Sequence, residues 1–302
     1  MRVGTGDGSA QTDAGTVTWG EVLAVATHRL AGGGLAVQEA RWIVEEASGL
    51  GVGADRPGGA EELVTVGGMS RVDAMVERRL AGEPLQYVLG SWSFRTLDLM
   101  VDRRVLIPRP ETEAVVGHAL DEFDRLADRS PEVRVADLGT GSGAIGLSIA
   151  AERVSAKVWC SDVSTDALAV TRANLAGLGR PAMRVTVVEG SWFEALPAEL
   201  AGGLGVVVSN PPYVATGQDL PPEVADWEPG SALTAGPLGT EYLEQIISEA
   251  PEWLLGGGSL VLELSPEQAV PMAEHASSVG FAGVEVRPDL TGRPRALVAR
   301  RP

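Results

Sequence analysis

The sequence predicts an α/β fold in which a seven-stranded, mostly parallel sheet, covered by helices on both faces, follows a small helical N-terminal region. Three observations carry this. From Val133 onward, short apolar strands alternate with helical stretches, the pattern of a parallel sheet with crossover helices. A glycine-rich turn, Asp137-Leu-Gly-Thr-Gly-Ser-Gly143, lies between the first of these strands and its helix. Before residue 82 the apolar spacing is helical.

The 302 residues give room for one large domain and a small one. Residues 1–15 are glycine-rich and polar and are expected to form a disordered tail. A helical domain is expected over 16–84. Thr18 is placed to cap a first helix through Leu23, Val25, Ala26 and Leu30, stopped by the glycines at 32–34. A second helix spans 37–50, with Ala40, Ile43, Val44 and Ala47 on one face and Gly49 near its stop. A third spans 70–80, with Ser70 as its cap. Residues 51–68 are glycine-rich and show no period. A hairpin linker is expected over 85–110, with extended segments at 86–90, 91–97 and 98–106. Pro108 and Pro110 bracket Arg109 and forbid a helix there. The large domain, 111–302, opens with a helix over 111–126. Strands are expected at 133–138, 157–161, 185–188, 204–209, 259–264, 284–286 and 295–299. Helices are expected at 144–153, 165–178, 242–255 and 266–279. The last two strands lie too close for a crossover and must pair antiparallel.

Composition narrows the function. The net charge is −17, and the basic doublets (Arg78 with Arg79, Arg103 with Arg104, Arg300 with Arg301) form no stripe. Direct nucleic-acid binding, which gains from released phosphate counterions, is not expected. The single cysteine, Cys160, permits no internal disulfide and reads as a small core residue. No secretory signal and no bilayer-length apolar run appears, so a cytoplasmic protein without a membrane partner is expected. His28, His118 and His275 have no partners at metal spacing, so no metal is expected. Ser142 and Ser148 lack the context of a nucleophile.

The glycine turn has the chemistry of a nucleotide-like ligand site, because glycines let the backbone approach and the helix N-terminus offers free N–H groups. Asp162 ends the next strand, where a carboxylate can accept hydrogen bonds from ribose hydroxyls. The glycines alone leave three readings open. Gly141-Ser-Gly143-Ala-Ile-Gly146 also fits a dinucleotide fingerprint, and a purely structural turn is the third. Asp137 at the turn favours a ligand bearing an ammonium over a pyrophosphate, which points to a methyl donor. Trp192, in Gly190-Ser-Trp-Phe193 after the third strand, is either plain core or a border for an adenine ring.

Asn210-Pro-Pro-Tyr213, at the end of the fourth strand, is the most specific motif. The bland alternative is a strand-ending turn. An amide nitrogen is a poor nucleophile because its lone pair is delocalised. Fixed acceptors can hold its two hydrogens and draw it toward tetrahedral geometry. The Asn210 side-chain oxygen and the Pro211 carbonyl are suited to that task. Pro211 and Pro212 stiffen the loop, and Tyr213 offers a flat face to a planar group. An activated methyl then leaves only positioning to be done, with no metal or strong base.

In their order, these segments resemble the class I methyltransferases of amide and exocyclic amine nitrogens. Gly82-Glu-Pro-Leu-Gln-Tyr-Val-Leu-Gly90 and Val105-Leu-Ile-Pro-Arg-Pro-Glu-Thr-Glu113 are similar to the linker signature of the HemK/PrmC release factor glutamine methyltransferases. The resemblance spans about residues 18–300. It implies a helical domain that docks the release factor, a hairpin linker and a seven-stranded Rossmann-like methyltransferase domain. The implied reaction methylates the glutamine side chain in the Gly-Gly-Gln loop of bacterial class 1 release factors, using S-adenosyl-L-methionine. By position, Gly139, Thr140, Gly141, Ser142, Gly143, Asp162, Trp192 and Asn210 would hold the donor. Asn210, Pro211, Pro212 and Tyr213 would hold the glutamine, with Asn210, Pro211 and Tyr213 in the catalytic role. The chain departs from the family in its glycine-rich 51–68 and in Glu263-Leu-Ser-Pro266, which lacks a glycine. The alternatives are a glutamine of a ribosomal protein or an adenine N6 in nucleic acid.

Overall fold

The computed structural model describes residues 16–49, 58–128 and 130–302. The expectation for 1–15, and that for 51–57, lies outside the described residues. The chain divides into two compact units, the first ending at Leu89 and the second comprising Gly90–Pro302.

In the first unit, α1 (Trp19–Gly32) begins at a capping box: the Thr18 hydroxyl accepts from the Glu21 N–H, and the Glu21 carboxylate accepts from the Thr18 N–H. Its buried face is Trp19, Val22, Ala26 and Leu30, so Val25 points outward instead. Helix α2 (Val37–Ser48) buries Ala40, Ile43, Val44 and Ala47, the face read from the spacing. Helix α3 (Val66–Leu80) starts earlier than expected. Thr65, not Ser70, is the cap, and its hydroxyl accepts from the Gly68 N–H at 3.0 Å. The cap partly offsets the helix cost of two glycines in the first turn, and burial of Val72, Met75 and Val76 does the rest. Residues 86–90 were expected to be extended, but Leu85–Leu89 forms a short helix, α4, because the Pro84 carbonyl accepts from the Tyr87 and Val88 N–H groups.

In the second unit, β1 (Ser91–Phe94) and β2 (Leu97–Met100) form an antiparallel hairpin. Pro110 then stands in the first turn of α5 (Pro110–Ala127), where its missing N–H costs nothing. The alternation follows as β3 (Val133–Leu138), α6 (Ala144–Glu152), β4 (Ala156–Asp162), α7 (Thr165–Gly177), β5 (Val185–Glu189) and β6 (Leu204–Ser209). Between 210 and 240 lie two short strands, β7 (Val214–Ala215) and β8 (Thr234–Gly236), and a one-turn helix, α8 (Pro222–Ala225). These are too short to leave a period in the sequence. The chain ends with α9 (Glu241–Trp253), β9 (Leu254–Glu263), α10 (Ala269–Ser278), β10 (Ala282–Pro288) and β11 (Pro294–Arg300). Strand β9 begins five residues before the expected 259, because a register shift against β6 absorbs the glycines at 256–258. The hairpin is no loose linker: Phe94 and Leu99 enter the core, and the Asn174 amide on α7 accepts from the Met100 N–H and donates to the Met100 carbonyl.

The sheet order is β10-β11-β9-β6-β3-β4-β5. Strands β9, β6, β3, β4 and β5 run parallel, and β11 is antiparallel to both its neighbours. Alternation along β6 sends Val206 and Val208 into the core under α5 and α6, and Val207 into the core under α9 and α10. The chain leaves β3 toward β4 and β5, then returns to β6 on the other side. The order therefore reverses between β3 and β6, and the crevice beyond the carboxyl ends of these two strands is where open α/β sheets bind ligands. Both sequence motifs, the glycine turn and Asn210–Tyr213, follow these two strands.

Candidate active site

The glycine turn is held from behind by Asp137. This residue is fully buried, and its Oδ2 accepts from the Thr140 hydroxyl at 2.5 Å and from the Gly146 N–H at 2.9 Å. Burial raises its carboxyl to about 6 against the pull of those donors, and Oδ1 has no partner. The sequence reading placed Asp137 toward a ligand ammonium; the structure makes it first of all the clamp of the turn. Gly146 allows helix α6 to press on the sheet, since a Cβ there would lie 2.5 Å from the Cys160 sulfur. Cys160 is core, as expected, and burial pushes its thiol well up.

Asp162 crosses from the end of β4 to the turn. Its Oδ2 accepts from the Gly141 N–H and its Oδ1 from the Ser164 N–H, each at 2.9 Å. Burial raises its pKa and these N–H groups oppose the rise. A carboxylate has about four acceptor sites, so Asp162 keeps capacity for a further partner beside these backbone N–H groups. Trp192 has a left-handed backbone, φ 43°, uncommon for a bulky residue and a form of strain that gathers at functional sites. Its ring lies 5.2 Å from that of Tyr242 and covers Gly139, where φ is 68° and a Cβ would sit 3.1 Å from the indole. Only glycine meets both demands at 139.

The Asn210–Tyr213 loop is held by side chains from distant elements. The Asn210 Nδ2 donates to the Thr112 hydroxyl at 3.4 Å, and Thr112 donates to Glu263 Oε2 at 2.7 Å. The Tyr213 hydroxyl donates to Glu263 Oε1 at 3.3 Å. The Gln268 Nε2 donates to the carbonyls of Tyr213 and Gly239 at 2.9 and 3.0 Å. Burial raises the Glu263 carboxyl, while Thr112 and the charge of Arg295 draw it back. Burial, reinforced by the Glu263 charge, pushes the Tyr213 phenol well up, so it keeps its proton. Beside the loop, buried Glu228 pairs with the Arg109 guanidinium and accepts from the Ile107 N–H, which fixes the turn between the two prolines.

Two cavities meet here. The larger encloses about 1050 Å³ of empty space open to solvent, and its walls include Gly139, Gly141, Asp162, Trp192 and Tyr242. The smaller encloses about 490 Å³ and is walled by Arg109, Pro211, Tyr213 and Glu263. Asn210 and Pro212 belong to both.

Of the residues singled out in the sequence, Gly139, Gly141, Asp162, Trp192 and Asn210 thus face one cleft, and Asn210 to Tyr213 line the adjoining one. Thr140 and Ser142 are buried behind the turn, where the Thr140 hydroxyl binds Asp137 and the Ser142 carbonyl accepts from Asn174. Gly143 caps α6 and packs on Leu147. Sequence reasoning gave no part to Thr112, Glu228, Tyr242 or Gln268 and left Glu263 unassigned. Only Thr112 lay within a recognised motif. Two of the histidines make bonds: His118 meets the Pro288 carbonyl and His275 meets Ser248, while His28 is exposed on α1.

A family model described as methyltransferase small domain matches residues 123–225, and one described as PrmC N-terminal domain matches residues 21–90. The chain is 40% identical over 248 residues to a release factor glutamine methyltransferase of Bifidobacterium longum, across 79% of this chain and 83% of that protein. It is 39% identical over 285 residues to that of Deinococcus radiodurans, across 93% of this chain and 98% of that protein. Among solved structures, the hMettl16 catalytic domain in complex with a 3'UTR hairpin aligns with a TM-score of 0.53 at 15% identity, covering 86% of this chain and 91% of that one. At that identity the match speaks for the fold alone. The glycine turn and the Asn-Pro-Pro-Tyr loop meet at the reversal of the sheet, and near-full-length relatives share over a third of the residues: the chain belongs to the release factor glutamine methyltransferase family.

Proposed function

We propose that this S-adenosylmethionine-dependent protein glutamine methyltransferase acts on the glutamine of the Gly-Gly-Gln loop in bacterial class 1 peptide chain release factors, in the cytoplasm. The carrying observation is that the donor-side cleft and the slot beside the Asn-Pro-Pro-Tyr loop share Asn210 and Pro212. A flexible protein loop carrying a primary amide suits such a slot. The net charge of −17 suits a polyphosphate poorly. Among the described residues no helix is long and apolar enough to cross a membrane.

The residues present fit S-adenosylmethionine. Asp162 keeps acceptor capacity for ribose hydroxyls, Gly139 and Gly141 present bare backbone, and Trp192 with Tyr242 forms an aromatic wall for an adenine. Gly143, Thr140 and Ser142 shape the turn that places those groups. When bound, the cofactor supplies a methyl group already activated by its sulfonium. The chain's work is then positioning. Asn210 Oδ1 and the Pro211 carbonyl accept the two N–H bonds of the glutamine amide. Pro211 and Pro212 stiffen these acceptors, so little reorganisation is needed. The ring of Tyr213 flanks the flat amide. The helical residues 16–84 serve as the dock for the protein substrate, and 85–110 join them to the transferase domain in this reading.

The test is mass spectrometry after incubation with the methyl donor and separate pools of release factor, ribosomal protein and duplex DNA. One added methyl on the Gly-Gly-Gln glutamine is expected, and none on a Gln→Glu release factor, whose carboxylate has no N–H to hold. A chain beginning at Gly90, assayed alongside, should still bind donor but lose affinity for the release factor. Methyl transfer to ribosomal protein or DNA, with none to release factor, refutes the substrate.

A further inference from the structure

The buried polar groups beneath the Asn-Pro-Pro-Tyr loop carry information about proton placement. Thr112 and Glu263 are 4% and 1% exposed, and they come from α5 and the end of β9. Between them they hold both side chains of the loop that carry polar atoms: Asn210 through Thr112, and Tyr213 through Glu263. We infer that Thr112 and Glu263 are positioning residues that set which end of the Asn210 amide faces the substrate. The inference rests on the reading of Asn210 Oδ1 as an acceptor for the substrate N–H.

The available protons decide the orientation of the Asn210 amide. A threonine hydroxyl has one proton and two lone pairs, and an ionised carboxylate only accepts. At 2.7 Å from Glu263 Oε2, the Thr112 proton is committed to the carboxylate. The Thr112 oxygen can then only accept, so Asn210 must turn its NH2 toward it. That leaves Asn210 Oδ1 on the other side. The choice does not depend on telling nitrogen from oxygen in the amide, because the neighbours dictate it. If Glu263 were protonated at Oε2, it would donate to Thr112. The freed hydroxyl proton would then suit Asn210 Oδ1, and the amide would present NH2 to the substrate's NH2, donor against donor.

The ionised form of Glu263 is therefore the working one. The groups that bear on it are Thr112 and Glu111 from α5, Tyr213 from the loop and Arg295 from β11, with Arg109 lining the same cavity. Burial raises its pKa above the usual carboxylate range. The sign follows: turnover is supported at pH above that raised pKa and lost as the pH falls through it.

The experiment uses the full chain with an intact release factor. Thr112→Val keeps the volume and removes the hydroxyl. Its kcat should fall by about 10²-fold, the scale of a displaced catalytic contact, with donor Kd nearly unchanged and Tm lowered, because Glu263 loses a buried hydrogen-bond donor. Thr112→Ser should restore most of the loss. Glu263→Gln cannot titrate, so its kcat should lose the acid limb of the wild-type pH profile. Wild-type kcat in Thr112→Val, while Asn210→Ala is inactive, overturns the inference and spares the reading of Asn210. Full activity in both overturns that reading as well. Should Thr112→Val fail to fold, the profiles decide: Glu263→Gln and wild-type profiles that superimpose after scaling refute the role.

Discussion

The two sides of the active site are built in different ways. On the donor side, Asp137 binds residues three and nine positions away, and Asp162 binds residues two and 21 positions away. Three of these four contacts are to backbone N–H groups. On the acceptor side the separations are 98 for Asn210 and Thr112, 151 for Thr112 and Glu263, 50 for Tyr213 and Glu263, and 55 for Gln268 and Tyr213. In the proposed reading, the turn that would receive the donor is braced within a local chain segment and mostly through its backbone, while the aromatic wall of Trp192 and Tyr242 comes from farther along the chain. The acceptor loop is braced by side chains that only the tertiary fold brings together. Damage to the first should therefore appear in donor affinity, and damage to the second in turnover.

Asn210→Ala is the strongest test of this division. It should fold and bind donor, while turnover falls by roughly 10²–10³, as for the loss of one preorganised polar contact to a transition state. Steady-state kinetics at saturating release factor, with donor Kd from calorimetry, would separate the two. Asn210 borders both cavities, so a small loss of donor affinity is compatible. A loss confined to donor affinity, with normal turnover at saturation, breaks the comparison.

Asp162→Ala probes the other side. Its carboxylate braces Gly141 and Ser164 and retains acceptor capacity. Donor binding should weaken by about 1.5–3 kcal/mol, the scale of hydrogen bonds to a charged group. The maximal rate at saturating donor should change far less. Calorimetry that finds unchanged donor affinity, or binding of NADH in its place, would contradict the assignment.

The same division explains what was legible in the sequence. Strands β3 and β6 and the starts of α6 and α7 fell where the alternation put them, because each is long, apolar and bounded by glycine or a cap. The glycine turn, Asp162 and Asn210–Tyr213 were readable because each motif sits on one stretch of chain. Thr112, Glu263 and Gln268 were not, since nothing in a linear sequence brings 112, 210, 263 and 268 together. Asp137 shows the limit within a motif. Its place in the sequence fitted a ligand contact, and only burial and the bonds to Thr140 and Gly146 reveal a clamp. The start of α3 moved from 70 to 66 because a cap at Thr65, five residues upstream of Ser70, overrode the low helix propensity of Gly67 and Gly68.

Gln268 offers the finest test, because it touches the acceptor loop without touching the slot. Its Nε2 spans the Tyr213 and Gly239 carbonyls, and its Oε1 accepts from the Ser265 N–H at 3.1 Å. Three segments are thus tied by one amide. The loop has other fixings, though. Pro211 and Pro212 restrict it, Val214 donates its N–H to the Leu233 carbonyl at 2.9 Å, and Tyr213 is held through Glu263. Loss of Gln268 should therefore loosen the loop rather than release it. For Gln268→Ala we expect a loss of about 1 kcal/mol, roughly fivefold in kcat/KM, in line with the net worth of a neutral hydrogen bond. Donor affinity should stay at the wild-type value. Gln268→Glu should fare worse than Gln268→Ala, because it turns two donors into a carboxylate facing two carbonyl oxygens. If both variants lower the melting temperature but leave kcat/KM intact, Gln268 braces the fold and not the substrate grip. If either weakens donor binding as much as Asp162→Ala does, the two sides of the site are coupled, and the contrast drawn between them fails.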